Sequence, residues 1–326
     1  MYNFILRLWY QKPRFHPITC LLLPFAAIFW LIIQVRRICY KIGIKKVTHF
    51  SVPIIVVGNI TVGGTGKTPL VIRLVELMQS KGYQVGVVSR GYGVKPIREP
   101  MVVRFESDVL SVGDEAMVIG NHVDAPIVVC CSRIKAIEKL IHDFQCDVII
   151  SDDGLQHYAM ARDIEIVVVD MERQFGNGFL LPAGPLREPI SRLGSVDVVV
   201  HHGLDMCLKN DDAWYGVLDN TQRKDVKQFQ GQIIHAITGI GHPERFFRQL
   251  RALGLTIIEH VFPDHYLFTL EDIDVGKNEI VVMTEKDAVK CHSFADNRHW
   301  FIKTHAVLDS AVEQQLCDQL ARINSK

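Results

Sequence analysis

From residue 47 onward, short apolar runs rich in β-branched residues alternate with helical stretches. The runs are SVPIIVVG at 51–58, YQVGVVSR at 83–90, MVVRF at 101–105, PIVVC at 126–130, DVIISDD at 147–153, IEIVVVD at 164–170 and VDVVVHH at 196–202. They are apolar almost throughout instead of alternating with polar residues. Strands of that kind are buried on both faces, which predicts a mostly parallel sheet wrapped by helices. The pattern predicts a doubly wound core over 47–207. Polar text, KNDDAWYGVLDNTQRKDVKQFQ at 209–230, then interrupts the series, and QIIHAITGIG, LTIIEHVFPD, EIVVMTEKD and WFIKTH resume it. A second, smaller α/β domain over 208–326 is expected, with a cleft between the two. There is no internal repeat and no low-complexity tract.

Residues 1–46 stand apart. Pro17 to Val35 (PITCLLLPFAAIFWLIIQV) is a 19-residue stretch without a formal charge, near the ~20 residues that cross a ~30 Å hydrocarbon core. This predicts an amino-terminal membrane helix with a basic flank. Its composition fits both a spanning helix and one bent at Pro24 and lying in the interface, with Trp9, Tyr10 and Trp30 at headgroup depth. No small-x-small cleavage site precedes the basic patch, which argues against a removable signal peptide.

The chain has 326 residues, 48% of them hydrophobic, and equal numbers of basic and acidic side chains, 36 each. That balance hides an asymmetry: residues 1–50 hold eight Lys or Arg and no acid, so the remainder carries a net charge of minus eight. The basic character belongs to the amino terminus, where it favours an anionic lipid surface and a cytoplasmic body. Nothing points to nucleic acid or to an obligate protein partner. The eight cysteines form no C-x-x-C pair and no zinc spacing, and they read as reduced residues of a cytoplasmic protein.

The strand at 51–58 runs directly into ITVGGTGKTP at 60–69. A glycine loop between a strand and a helix, ending in Lys-Thr, is suited to nucleotide phosphates. Gly63, Gly64, Thr65 and Gly66 can turn their N–H groups inward, Lys67 can place a cation on the β- and γ-phosphates, and Thr68 can ligate magnesium. A strict G-x-x-x-x-G-K-[ST] pattern needs glycine at 61, where this chain has Thr61. The fold expected is therefore P-loop NTPase-like, with ATP and Mg2+ as cofactors.

Other candidates sit at strand ends. Asp152 and Asp153 close an apolar strand, where an acid can hold magnesium opposite Thr68; either could be the ligand. Gln156 and His157 follow them, on the usual ligand side of such a sheet. Arg90 and Tyr92 in SRGYG end another strand, and Arg187 lies on the proline-rich PAGPLREP loop at 182–189. Asp114 and Glu115 in VGDEA suit a helix cap as well as they suit catalysis. On its own, Asp264-His265 reads as a surface pair or a half-buried histidine.

Taken in order, VGNITVGGTGKTP, SRGYG, VGDEA, DDGLQH, PAGPLREP, TGIGHPERFF, FPDHY and MTEKDAVK resemble the lipid A 4′-kinases, or tetraacyldisaccharide 4′-kinases, of Gram-negative bacteria. The resemblance runs from the membrane segment to near the carboxyl end. It implies phosphoryl transfer from ATP to the 4′-hydroxyl of an acylated glucosamine disaccharide 1-phosphate, at the cytoplasmic face of the inner membrane. It further implies Asp114 as base, assisted by His265, and Lys67 on the phosphates. Magnesium would be held by Thr68, Asp152 or Asp153, and Glu115; Arg90, Tyr92, Gln156, His157 and Arg187 would bind the sugar. The reading from another class is a membrane-tethered ATPase or nucleotide switch. TGIGHPERFF and MTEKDAVK carry no assigned role.

Overall fold

The computed structural model describes residues 2–324. The core strands are β1 (Ile54–Gly58), β2 (Val85–Ser89), β3 (Met101–Val102), β4 (Ile127–Val129), β5 (Val148–Asp152), β6 (Ile164–Asp170) and β7 (Val198–His202). Their order is β7-β6-β1-β5-β2-β4-β3, parallel except for β3 at the edge. Every residue of β1, β2, β5 and β6 is buried, as continuous apolar runs require. Helices α3 (Lys67–Ser80), α4 (Val109–Val112), α5 (Asp114–His122) and α6 (Arg133–Phe144) connect the strands. On α3 the buried side chains Leu70, Val71, Leu74, Val75 and Met78 recur at helical spacing and pack on the sheet.

The polar segment after residue 208 is not a break. It forms β8 (Met206–Gly216) and β9 (Arg223–Asp225), and the expected boundary at 207/208 falls inside β8. Along β8, buried positions are confined to Met206, Trp214 and Gly216. A ribbon that faces water on much of its surface carries few apolar residues, which is why its sequence reads as loop. Beyond it lie β10 (Ile233–Thr238), α7 (Pro243–Ala252), β11 (Thr256–Val261), α8 (Leu270–Ile273), β12 (Ile280–Thr284), α9 (Glu285–Cys291), β13 (His299–Leu308) and α10 (Ser310–Asn324). β13 pairs antiparallel with β8, so one sheet of order β11-β10-β12-β13-β8 continues into the core through β7. The carboxyl lobe has its own two-sided core: Phe246, Phe247 and Leu250 of α7 cover one face, Ala288 and Cys291 of α9 the other. Leu316 and Leu320 of α10 return to the core cluster that contains α3.

At the amino terminus, α1 (Tyr2–Tyr10) and α2 (Pro17–Lys41) lie against the core. The mean hydropathy of α2 reaches 2.4, and its buried residues are Thr19, Ala26 and Ile33, a single stripe at seven-residue spacing. Leu21, Phe25, Ile28, Leu31, Ile32 and Val35 are exposed. Contacts hold both ends of the helix region to the core. Phe15 packs edge-on to Phe179 at 5.9 Å, while Arg36 donates to the Gln156 carbonyl at 3.1 Å and Tyr40 lies 5.9 Å from Tyr158.

Candidate active site

The loop between β1 and α3 turns twice through left-handed glycines, Gly63 at φ 105° and Gly66 at φ 95°. Side chains at either position would be strained. Thr61 needs no such freedom. It bridges Leu186 in antiparallel fashion, and Val62 donates to the Pro185 carbonyl at 2.9 Å. The proline-rich loop therefore braces the outer side of the phosphate loop, which explains how threonine replaces the glycine of the strict motif. Inside, Asn59 Nδ2 donates to Thr65 Oγ1 at 3.1 Å. From the carboxyl lobe, Gly241 approaches so closely that a Cβ there would lie 3.0 Å from the Gly64 nitrogen. The TGIGHPERFF block thus places bare backbone against the phosphate loop, and Arg245 of the same block ties α7 to Asp170 at the end of β6 with contacts of 2.9 Å.

The two aspartates at the end of β5 have different surroundings. Asp153, in the left-handed region at φ 46°, takes a bidentate pair from Arg187 at 2.9 and 3.0 Å and faces Lys67 Nζ at 3.6 Å. Burial alone would raise its carboxyl; Lys67 and Arg187 outweigh that and hold it well below the usual range. Asp152 is 1% exposed, and neither of its oxygens has a hydrogen-bond partner among the described residues. Burial, then the charges of Glu115 and Asp153, push it up to about 7. The buried Arg133 guanidinium donates to the main-chain carbonyls of both aspartates, at 2.7 and 2.9 Å, and so fixes this turn.

Opposite this turn, Gly113 at φ 92° starts α5 and presents Asp114. His265, itself left-handed at φ 58°, places Nδ1 3.0 Å from Asp114 Oδ2. The Glu115 N–H donates to the other oxygen at 2.8 Å. Burial would raise the Asp114 carboxyl, but the His265 hydrogen bond and the nearby Lys286 charge leave it below its ordinary value. The Tyr92 ring lies 4.8 Å from the His265 ring. A cleft of about 640 Å³ joins these groups. Its walls include Gly63 to Thr68, Tyr92, Glu115, Asp153 and His265, with Leu6 and Trp9 of α1 at its rim.

A phosphate loop, an orphaned buried carboxylate and an Asp–His pair around one cleft describe a phosphotransferase site. The chain matches the family described as Tetraacyldisaccharide-1-P 4′-kinase over residues 18–321. It belongs to that family. A tetraacyldisaccharide 4′-kinase of Coxiella burnetii is 45% identical over 302 residues, 93% of this chain and 90% of the relative. One of Methylobacillus flagellatus is 44% identical over 328 residues, 98% of this chain and 96% of its own. Among solved structures, the "apo" form of LpxK from Aquifex aeolicus in complex with ATP superposes with a TM-score of 0.78 at 25% identity, covering 93% of this chain and 99% of that one.

In this kinase, Gly63, Gly64, Thr65, Gly66, Lys67, Thr68, Tyr92, Glu115, Asp153 and His265 all line one cleft, with Asp114 bonded behind His265. Four of the five expected sugar-binding residues are placed differently. Arg187 lines the cleft but is committed to Asp153 and to Asn59 Oδ1. Gln156 is a brace, donating to the Arg187 carbonyl and the Glu188 carboxylate at 3.1 Å each. His157 lies outside the cleft lining, and its Nε2 is buried without a partner among the described residues. Burial and then Arg133, Arg162, Arg36 and Arg90 push its ring down to about 4, so it is neutral. Arg90 is exposed near this group rather than in the cleft. Arg133, Asp170, Arg245 and Lys286 were not singled out from the sequence, because their partners are distant in the chain. Arg187→Ala leaves Asp153 to compete for Lys67. Chemical denaturation is expected to show a loss of about 1–3 kcal/mol, the cost of stranding a half-buried charged partner, together with a raised KM for ATP.

Proposed function

We propose that this kinase transfers the γ-phosphate of ATP to the 4′-hydroxyl of an acylated glucosamine disaccharide 1-phosphate, with Asp114 as the base. The observation that carries this reading is the Asp114–His265 pair facing the phosphate loop across one cleft. The acceptor oxygen attacks the γ-phosphorus as the bond from that phosphorus to the β-bridging oxygen breaks; the hydroxyl proton passes to Asp114. Sugar hydroxyls are weak nucleophiles, and phosphoryl transfer depends mainly on alignment and charge neutralisation. Lys67 supplies a cation to the γ-phosphate, and the loop amides supply fixed donors. His265 directs the carboxylate. No observation favours the tethered ATPase or switch.

Magnesium fits the donor set. The two orphaned oxygens of Asp152 and the cleft-facing Thr68 are the groups that would hold it, with phosphate oxygens and water completing a shell of oxygen ligands. Among the described residues no three His, Cys, Asp or Glu side chains cluster as a ready-made cage, and magnesium bound through one or two side chains needs none. Glu115 and Asp153, the other expected ligands, are engaged by Lys286 and by Arg187 with Lys67. The ion would neutralise charge on the phosphates.

The exposed apolar face of α2 supports membrane attachment. A 25-residue helix tied to the core near both ends suits a position along the bilayer interface better than a crossing of it. Arg36 and Arg90 are exposed near its carboxyl end, where they would favour the 1-phosphate or anionic headgroups. The basic flank and the need for ATP support a reading in which this face meets the cytoplasmic side of the inner membrane.

Lys67→Ala and Asp114→Asn should each lower phosphorylated lipid formation by about 100-fold or more while thermal melting stays near wild type; full activity in either refutes the assigned roles. Replacing Leu21, Phe25 and Ile28 with serine removes three exposed apolar side chains from the proposed lipid face. Binding to anionic vesicles is expected to fall about 10-fold or more, and unchanged co-sedimentation would rule that face out.

A further inference from the structure

Helix α1 (Tyr2–Tyr10) precedes residues 18–321, the stretch that matches the kinase family, yet it is built onto the phosphate loop. The Tyr10 hydroxyl donates to the Val62 carbonyl at 3.4 Å, and Arg173 stands over the Tyr10 ring at 5.1 Å. The Trp9 carbonyl accepts the Asn177 N–H at 2.8 Å. Gly176, left-handed at φ 57°, lies so close that a Cβ there would be 2.8 Å from the same oxygen. With Leu8 buried as well, one side of α1 is held against the core, and Trp9 and Tyr10 are engaged there.

Leu6 and Trp9, three residues apart and so on one face of the helix, join a cleft lining that includes Val62, Gly63 and Gly64. An indole has one polar hydrogen, its N–H, and Trp9 Nε1 donates it to the Pro182 carbonyl at 3.2 Å. What Leu6 and Trp9 offer the cleft is therefore apolar surface. Phosphates have no use for it, and the walls formed by Glu115, Asp153 and Arg187 are charged. Past the other end of the phosphate loop, Ile72, Leu208, Phe246 and Ile302 line the cleft and suit a nucleoside base. The part of the acceptor that matches the α1 patch is an acyl chain. Residues 11–16 join α1 to α2, and exposed apolar side chains continue along the chain from Phe4 through Phe15 to Ile18, Leu21 and Phe25. Helix α1 thus connects the apolar face of α2 with the cleft.

We propose that Leu6 and Trp9 contact an acyl chain of the acceptor at the mouth of the cleft, which makes α1 a specificity element for acylated substrate. This rests on the acceptor assigned above, an acylated disaccharide 1-phosphate, and on no assignment of the group that takes the proton. The test compares kcat/KM for γ-phosphate transfer, at saturating ATP, on two acceptors: the tetraacylated lipid in detergent micelles and an analogue bearing acetyl groups in place of its long chains. Leu6→Ser is expected to lower kcat/KM about 10-fold or more on the tetraacylated lipid, the scale of one lost leucine-sized contact, and less than about 2-fold on the acetyl analogue. Leu6→Met, which keeps the apolar surface, should stay near wild type on both. The KM for ATP and co-sedimentation with anionic vesicles should not change in Leu6→Ser.

Unchanged kcat/KM on the tetraacylated lipid would overturn the proposal. So would equal losses on the two acceptors, the result expected if α1 only steadies the phosphate loop or stacks on the sugar. A parallel fall in co-sedimentation would also overturn it, by making Leu6 part of the general lipid face. A second measurement needs no turnover of the analogue: a tetraacylated acceptor with a photoreactive diazirine on its acyl chains should label α1, and unlabelled acceptor should compete that label away. Label confined to α2 would overturn the proposal. Wild-type protein that transfers phosphate to neither acceptor would instead refute the kinase reading on which it rests.

Discussion

Two adjacent carboxylates at the closed end of β5 impose the main constraint on this molecule. Asp152 and Asp153 must sit beside the phosphate loop without being able to share one environment, since like charges this close cannot both remain uncompensated. Arg187 and Lys67 neutralise Asp153, while Asp152 is left buried with two empty oxygens. That division organises much of the surrounding structure. Arg187 must come from the proline-rich loop, whose backbone also braces Thr61 and Val62. Gln156 and Tyr158 hold that loop in turn through Glu188, and Arg133 fixes the main chain of both aspartates.

A second polar network faces the first across the cleft. There Asp114 and Glu115 are matched by His265 and Lys286 from the carboxyl lobe. The Asp114–His265 pair, the proposed proton acceptor, thus draws on two lobes, while the phosphate loop belongs to one. Gly241 against Gly64 and Arg245 on Asp170 bring the same lobe onto the phosphate loop itself. The cleft is thus lined from both lobes, which suits a reaction in which water must be kept from the γ-phosphate. The amino-terminal helices add the third element, an apolar face along α2 whose carboxyl end meets the arginines near His157.

What could be read from the sequence follows from how far apart the partners lie. The phosphate loop was legible because its strand, glycines and Lys-Thr are contiguous and their chemistry is local. The core strands were legible because burial on both faces leaves a continuous apolar run. The β8–β9 ribbon was not, since a strand that is wet on much of its surface carries the composition of a loop. Arg187 looked like a free phosphate ligand because Asp153, its partner, lies 34 residues away. Lys286 lay in the MTEKDAVK block without an assigned role, since Glu115 lies 171 residues distant. Thr61 looked like a defect in the motif until its pairing with Leu186 showed an extended segment that has no use for glycine.

The central claim is that the site moves phosphate from ATP to one hydroxyl of a membrane-held sugar lipid. Its most direct test is the fate of γ-labelled ATP incubated with the wild-type protein and a tetraacylated disaccharide 1-phosphate in detergent micelles, beside the same lipid lacking its 4′-hydroxyl. Label on the 4′ position of the first lipid and none on the second is the predicted result. Label appearing only as inorganic phosphate, or equally on the 4′-deoxy lipid, would contradict it.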